Sequence, residues 1–104
     1  MQNRRKDVRV PLRAQVNCVS DFHTFRGVTR NVSQNGIQVE LPALRKTANV
    51  HLTLRLPLSD ALIDATGTVI WVSGKRSGIK FKYMGEQSQE SIRQFIEERK
   101  SGSV

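Results

Sequence analysis

The stretch VHLTLRLP, residues Val50 to Pro57, decides the fold class. Val50, Leu52, Leu54 and Leu56 alternate with His51, Thr53 and Arg55, and Pro57 ends the run. Successive side chains of a strand point to opposite faces, so this spacing gathers four aliphatic residues on one face and leaves the other polar. A helix would scatter the same residues around its axis. The segment therefore reads as a strand with one buried face.

Working outward, the same period recurs on both sides. Ala14, Val16 and Cys18 alternate with Arg13, Gln15 and Asn17, and Asp21 follows as a turn former. Thr24 to Val32 is a second, more polar strand that runs into SQNG, Ser33 to Gly36. Asn35 and Gly36 readily supply positive φ there, so the pair reads as a hairpin turn. Ile37, Val39 and Leu41 then alternate until Pro42, and Ala43 to Thr47 connect to the central run. On its far side, Leu62 to Ser73 reads as a long strand with Gly67 at a bend or bulge. Gly74 to Gly78 reads as a turn, and Ile79, Phe81 and Tyr83 as a last strand. Six short strands at this spacing fit a small barrel or a sandwich.

Only the tail changes period. Ile92, Phe95, Ile96 and the stem of Arg99 follow i, i+3, i+4, i+7, which places one apolar stripe on a helix over about Gln89 to Lys100. Ser88 is positioned to cap it, and the stripe is expected to lie against the strands.

A chain of 104 residues with 38% hydrophobic and 25% charged residues fits one globular domain. No apolar run approaches the roughly 18 residues that cross a bilayer, and no apolar segment follows the N-terminal charges as in a secretory leader. The chain reads as cytoplasmic, without membrane insertion, and Met1 with the short tail as a stand-alone protein. A single cysteine, Cys18, excludes an internal disulfide and reads as a small core residue. His23 and His51 have no cysteine pair or carboxylate cluster at metal-ligand spacing, so no metal is expected.

The net charge of +8 and pI near 10.6 point to an anionic partner. Residues 1–13 concentrate Arg4, Arg5, Lys6, Arg9 and Arg13 against the single acid Asp7. They are assigned to a flexible basic arm, and residues 14–104 to the folded domain. Few aromatics and no strand that alternates basic with aromatic residues argue against single-stranded nucleic acid as the partner. Lys75, Arg76 and Lys80 read as solvated charges, and Trp71 as core or wall.

Two spacings stand out together: Arg5 and Arg9 as RxxxR, and Asn31, Ser33 and Gly36 as NxSxxG. In this order, on this strand pattern, they resemble the signature of PilZ domains, receptors for the bacterial second messenger cyclic di-GMP. TVIWV (Thr68 to Val72) and GIKF (Gly78 to Phe81) match later features of that family. The resemblance implies a six-stranded antiparallel β-barrel of split-barrel type with a C-terminal α-helix spanning about 88–100. It implies a ligand, cyclic di-GMP, rather than a cofactor, and a downstream effector protein as partner.

Carried over residue by residue, the resemblance assigns ligand binding to Arg5, Arg9, Asn31, Ser33 and Gly36, and charge and position add Arg4. An arginine fork can bond guanine O6 and N7 together while its face stacks on a base. The Asn31 amide can meet a guanine edge, and Ser33 offers a short hydroxyl for phosphate or base. Asn31 stands where the family more commonly carries aspartate, a substitution the signature allows. No Ser/His/Asp order, HExxH, P-loop or GxGxxG is present, so no enzymatic activity is expected.

Overall fold

The computed structural model describes residues 8–21, 23–42 and 44–101. Six strands form the barrel: β2 (Gln15–Ser20), β3 (His23–Val32), β4 (Gly36–Glu40), β5 (Asn49–Arg55), β6 (Leu62–Ser73) and β7 (Arg76–Met84). A two-residue strand, β1 (Val10–Pro11), precedes them, and helix α1 (Glu86–Ser101) follows. All pairings are antiparallel, in the order β3-β2-β5-β6-β7-β4, and β4 pairs back to β3 to close the sheet.

The central run behaves as its alternation requires. Val50, Leu52, Leu54 and Leu56 are buried, and their strand lies between β2 and β6. Inward residues of the other strands, among them Val16, Cys18, Val32, Ile37, Val39, Ile63, Val69 and Ile79, complete one core. Each fully buried aliphatic of this kind stabilises the fold by about 1.5–3 kcal/mol. The Cys18 thiol is fully enclosed, and burial pushes its pKa up to about 11.

Three local readings are corrected. The turn after β6 is only Gly74 and Lys75, because β7 starts at Arg76 and pairs with both β6 and β4, not after Gly78. The helix starts at Glu86, so Ser88 lies inside its first turn rather than capping it. The Ser88 hydroxyl accepts the backbone N–H of Asp64 at 3.1 Å, tying the helix to β6. The last correction concerns the arm: Val10 to Arg13 run along the barrel wall.

There Val10 pairs with Val32 and Pro11 with Asn31, and Val10 and Leu12 are buried. β1 and β2 lie end to end on one edge of β3, while β4 occupies the other. The interruption between them is closed by Thr29, whose Oγ1 donates to the Leu12 carbonyl at 2.7 Å and accepts the Ala14 N–H at 2.9 Å. Alternation alone hid this segment, since only two residues pair before the chain buckles outward at Arg13.

Helix α1 buries Ile92, Phe95 and Ile96 against β6 and β1, as the stripe predicts. The Arg99 guanidinium stands 4.7 Å from the centre of the Phe95 ring, covering the end of the stripe with its stem. Acidic Glu86 in the first turn and basic Arg99 and Lys100 in the last oppose the helix dipole.

Candidate functional site: a basic cleft built by two bulges

Two irregularities in the barrel create the candidate site. On β3, Thr29 faces Val39 and Asn31 faces Gln38, so Arg30 is an extra residue. On β6, Val69 faces Ile79 and Trp71 faces Gly78, so Ile70 is extra. In an uninterrupted strand Asn31 would share the inner face with Thr29, and Trp71 with Val69. Each bulge shifts the phase by one residue and turns the following side chain outward.

The result is one row across four strands: Asn31 on β3, Gln38 on β4, Gly78 on β7 and Trp71 on β6. The Trp71 ring lies across Gly78, where a β-carbon would meet indole atoms at 2.1–2.8 Å. At the other end, Arg9 enters just before β1. Its Nη1 donates to Asn31 Oδ1 at 2.7 Å, and Asn31 Nδ2 donates to Gln38 Oε1 at 3.2 Å. A cleft of about 210 Å³ lies over this row, lined by Arg9, Gly36, Gln38, Trp71, Gly78 and Lys80 among others.

The turn that bounds the cleft is held from within. Ser33 is fully buried, and its Oγ accepts the N–H groups of Asn35 at 3.2 Å and Gly36 at 3.1 Å. Its backbone N–H donates to the Gly36 carbonyl at 2.8 Å. The hydroxyl that the sequence reading offered to a ligand is therefore directed into the turn. Neither Asn35 nor Gly36 adopts positive φ, contrary to the turn chemistry expected of that pair. Gly36 is required for another reason: a β-carbon there would sit 2.6 Å from the Ile79 carbonyl oxygen.

Of the residues singled out in the sequence, Arg9, Asn31 and Gly36 meet at the cleft and Ser33 supports it. Arg4 and Arg5 lie outside the described residues. Gln38, Trp71 and Lys80 were missed as site residues. Only the bulge exposes Trp71, and a bulge leaves no mark in an alternating sequence. Lys80 was legible as basic, and its place became clear only from its pairing with Gly36.

A neighbouring row carries charge that is already balanced. Glu40 lies between Arg30 at 3.2 Å and Arg76 at 3.8 Å. Lys80, in contrast, meets no acid among the described residues, so the cleft is electropositive. Cations at its edges, two amides in its floor and one indole face suit a phosphate-bearing ligand with a planar base. Among the described residues, no three His, Cys, Asp or Glu side chains gather as metal ligands, and no helix is long and apolar enough to cross a membrane.

A closed small barrel with a basic, aromatic-floored cleft beside its N-terminal arm defines a ligand-binding module. The chain belongs to the PilZ domain family, whose model matches residues 3–98. PilZ domains are receptor and adaptor modules rather than enzymes.

Solved structures share the fold. The inhibitor of motility MotI/DgrA of Bacillus subtilis superposes with a TM-score of 0.86 at 18% identity, over 98% of this chain and 54% of that one. The PilZ domain of YcgR from Escherichia coli, solved with c-di-GMP, gives 0.74 at 14% identity, over 98% and 100%. The PilZ domain of CeSA from a cellulose-synthesizing bacterium gives 0.67 at 19% identity, over 86% and 94%. The chain thus spans about half the length of MotI/DgrA, and identities this low speak for fold alone. No curated protein matches the sequence.

Proposed function

We propose that this protein is a cytoplasmic bacterial receptor for cyclic di-GMP that grips its ligand between the barrel cleft and the arginines of the N-terminal arm. The observation that carries the reading is the row from Arg9 through Asn31 and Gln38 to Trp71, with Lys80 beside it. Membership of the PilZ family supports it, as does the PilZ domain of YcgR, whose structure includes c-di-GMP.

The chemistry assigns a role to each group. The Arg9 guanidinium, already oriented by Asn31, presents its remaining donors to a phosphate or to guanine O6 and N7. Trp71 provides a face on which a purine can stack, and Lys80 adds a mobile positive charge for phosphate. Asn31 and Gln38 offer amide donors and acceptors to a base edge. Ser33 and Gly36 shape the wall without touching the ligand. The pocket is smaller than the roughly 300–1,000 Å³ typical of enclosed ligand sites, so a dinucleotide needs a second wall. Arg4 and Arg5 on the arm supply it. Ordering the arm changes the surface near β1, and that change is the signal an effector protein reads.

Calorimetric titration with cyclic di-GMP, GMP and a short oligonucleotide tests this reading. Saturable binding to the cyclic dinucleotide alone, lost in Arg9→Ala at an unchanged melting temperature, is the expected result. Equal affinity for the oligonucleotide with a steep salt dependence would instead make the arm a nucleic-acid contact.

A further inference from the structure

A second basic surface lies away from the cleft. Exposed Arg13, Arg26 and Arg55 line one shallow trough on the outer face of β2, β3 and β5, floored by Gln15, Asn17 and Thr53. The one acid in its lining is Asp60, which is already engaged: Arg55 Nη1 donates to the Asp60 carbonyl at 3.0 Å and lies 3.8 Å from its carboxylate. Arg13 and Arg26 meet no acid among the described residues.

At the lip of this trough stands Leu58, in the turn between β5 and β6. Its side chain is 99% exposed and its φ is +74°, a conformation that L-residues with branched side chains avoid. Two backbone hydrogen bonds close the turn. The Asp60 N–H donates to the Leu56 carbonyl and the Leu56 N–H to the Ala61 carbonyl, both at 2.9 Å. Leu62, half exposed, lies beside it. A hydrogen-bonded turn thus projects an aliphatic side chain into water with Arg13 and Arg26 behind it.

We propose that this face docks peripherally on an anionic lipid bilayer, with Leu58 entering the headgroup region and Arg13, Arg26 and Arg55 meeting lipid phosphates. Charge complementarity selects the occupant. An apolar tip backed by cations is the chemistry of interfacial membrane binding. The trough holds no aromatic anchor of the kind that carries protein interfaces or stacks single-stranded nucleic acid.

Vesicle flotation of the intact protein tests the inference, using phosphatidylcholine alone and phosphatidylcholine mixed with phosphatidylglycerol, at low and high salt. Wild type is expected to float only with the anionic vesicles and to be released by salt. Arg13→Ser with Arg26→Ser is expected to weaken binding by about tenfold or more. Leu58→Gly relieves the backbone strain, so it should raise the melting temperature while lowering vesicle binding. A charge-matched control, Lys46→Ser with Lys75→Ser, should bind nearly as wild type. The proposal is overturned if wild type ignores anionic vesicles, if the control loses as much as the arginine pair, or if Leu58→Gly binds undiminished. Arg26 and Leu58 belong to neither the cleft nor the arm, so cyclic di-GMP titrations of Arg26→Ser and Leu58→Gly should be unaffected whichever way the flotation falls.

Discussion

The indole of Trp71 lies so closely over Gly78 that a β-carbon on the glycine would stand 2.1 Å from Nε1. The glycine is therefore the seat of the tryptophan, and the cleft depends on both.

Gly78→Ala is expected to displace Trp71 and cost about 1–3 kcal/mol, the usual penalty for forcing extra volume into a packed site. Trp71 is the single tryptophan, so its emission reports the move directly. In the wild type, the same emission should change on addition of cyclic di-GMP. A saturable calorimetric signal with constant emission would remove Trp71 from the ligand contacts.

Ser33→Ala should separate stability from recognition. Losing the hydroxyl takes the acceptor from the buried N–H of Gly36 and the part-buried N–H of Asn35, at a cost of about 1–3 kcal/mol. Denaturant melts should show that loss, while ligand affinity measured well below the midpoint should fall only modestly. A large affinity loss without destabilisation would mean that the hydroxyl turns outward to the ligand.

Thr29→Val preserves shape and removes the oxygen that bridges Leu12 and Ala14. About 1–3 kcal/mol of destabilisation is expected, with fast amide exchange at Ala14, because the join between β1 and β2 depends on that hydroxyl.

Cys18 makes a pH-dependent contribution with a defined sign. Burial raises its folded-state pKa from 9.0 to about 11, so the folded state favours the neutral thiol. That contribution is complete below pH 9 and is lost as pH rises towards 11, by about 2 kcal/mol. Denaturant melts of wild type and Cys18→Ala across this window should converge by that amount. A thiol reagent at neutral pH should label Cys18 only after unfolding.

Much of the barrel was legible because period-two alternation is a direct imprint of one-sided burial, as in Val50 to Leu56. The helix stripe at Ile92, Phe95 and Ile96 was legible for the same reason. Features that depend on pairing were not. Arg30 and Ile70 look like ordinary strand residues, and only the registers of β4 and β7 make them the extra residues that turn Asn31 and Trp71 outward. Gly36 was read as a left-handed turn residue, whereas the close approach of β7 is what excludes a side chain there. The helix start was misplaced because Ser88 has the chemistry of a cap, while its hydroxyl is used by a strand instead.

The pairing of Val10 with Val32 turns the arm into a tether of known length. Arg5 is five residues from that anchor, and an extended chain covers at most about 3.6 Å per residue, so its backbone stays within about 18 Å of Val10. In the proposed reading, that radius sets the effective concentration of the Arg4 and Arg5 guanidinium groups for a ligand held at Arg9. If the proposal holds, lengthening the tether between Arg5 and Arg9 should dilute those groups and weaken cyclic di-GMP binding.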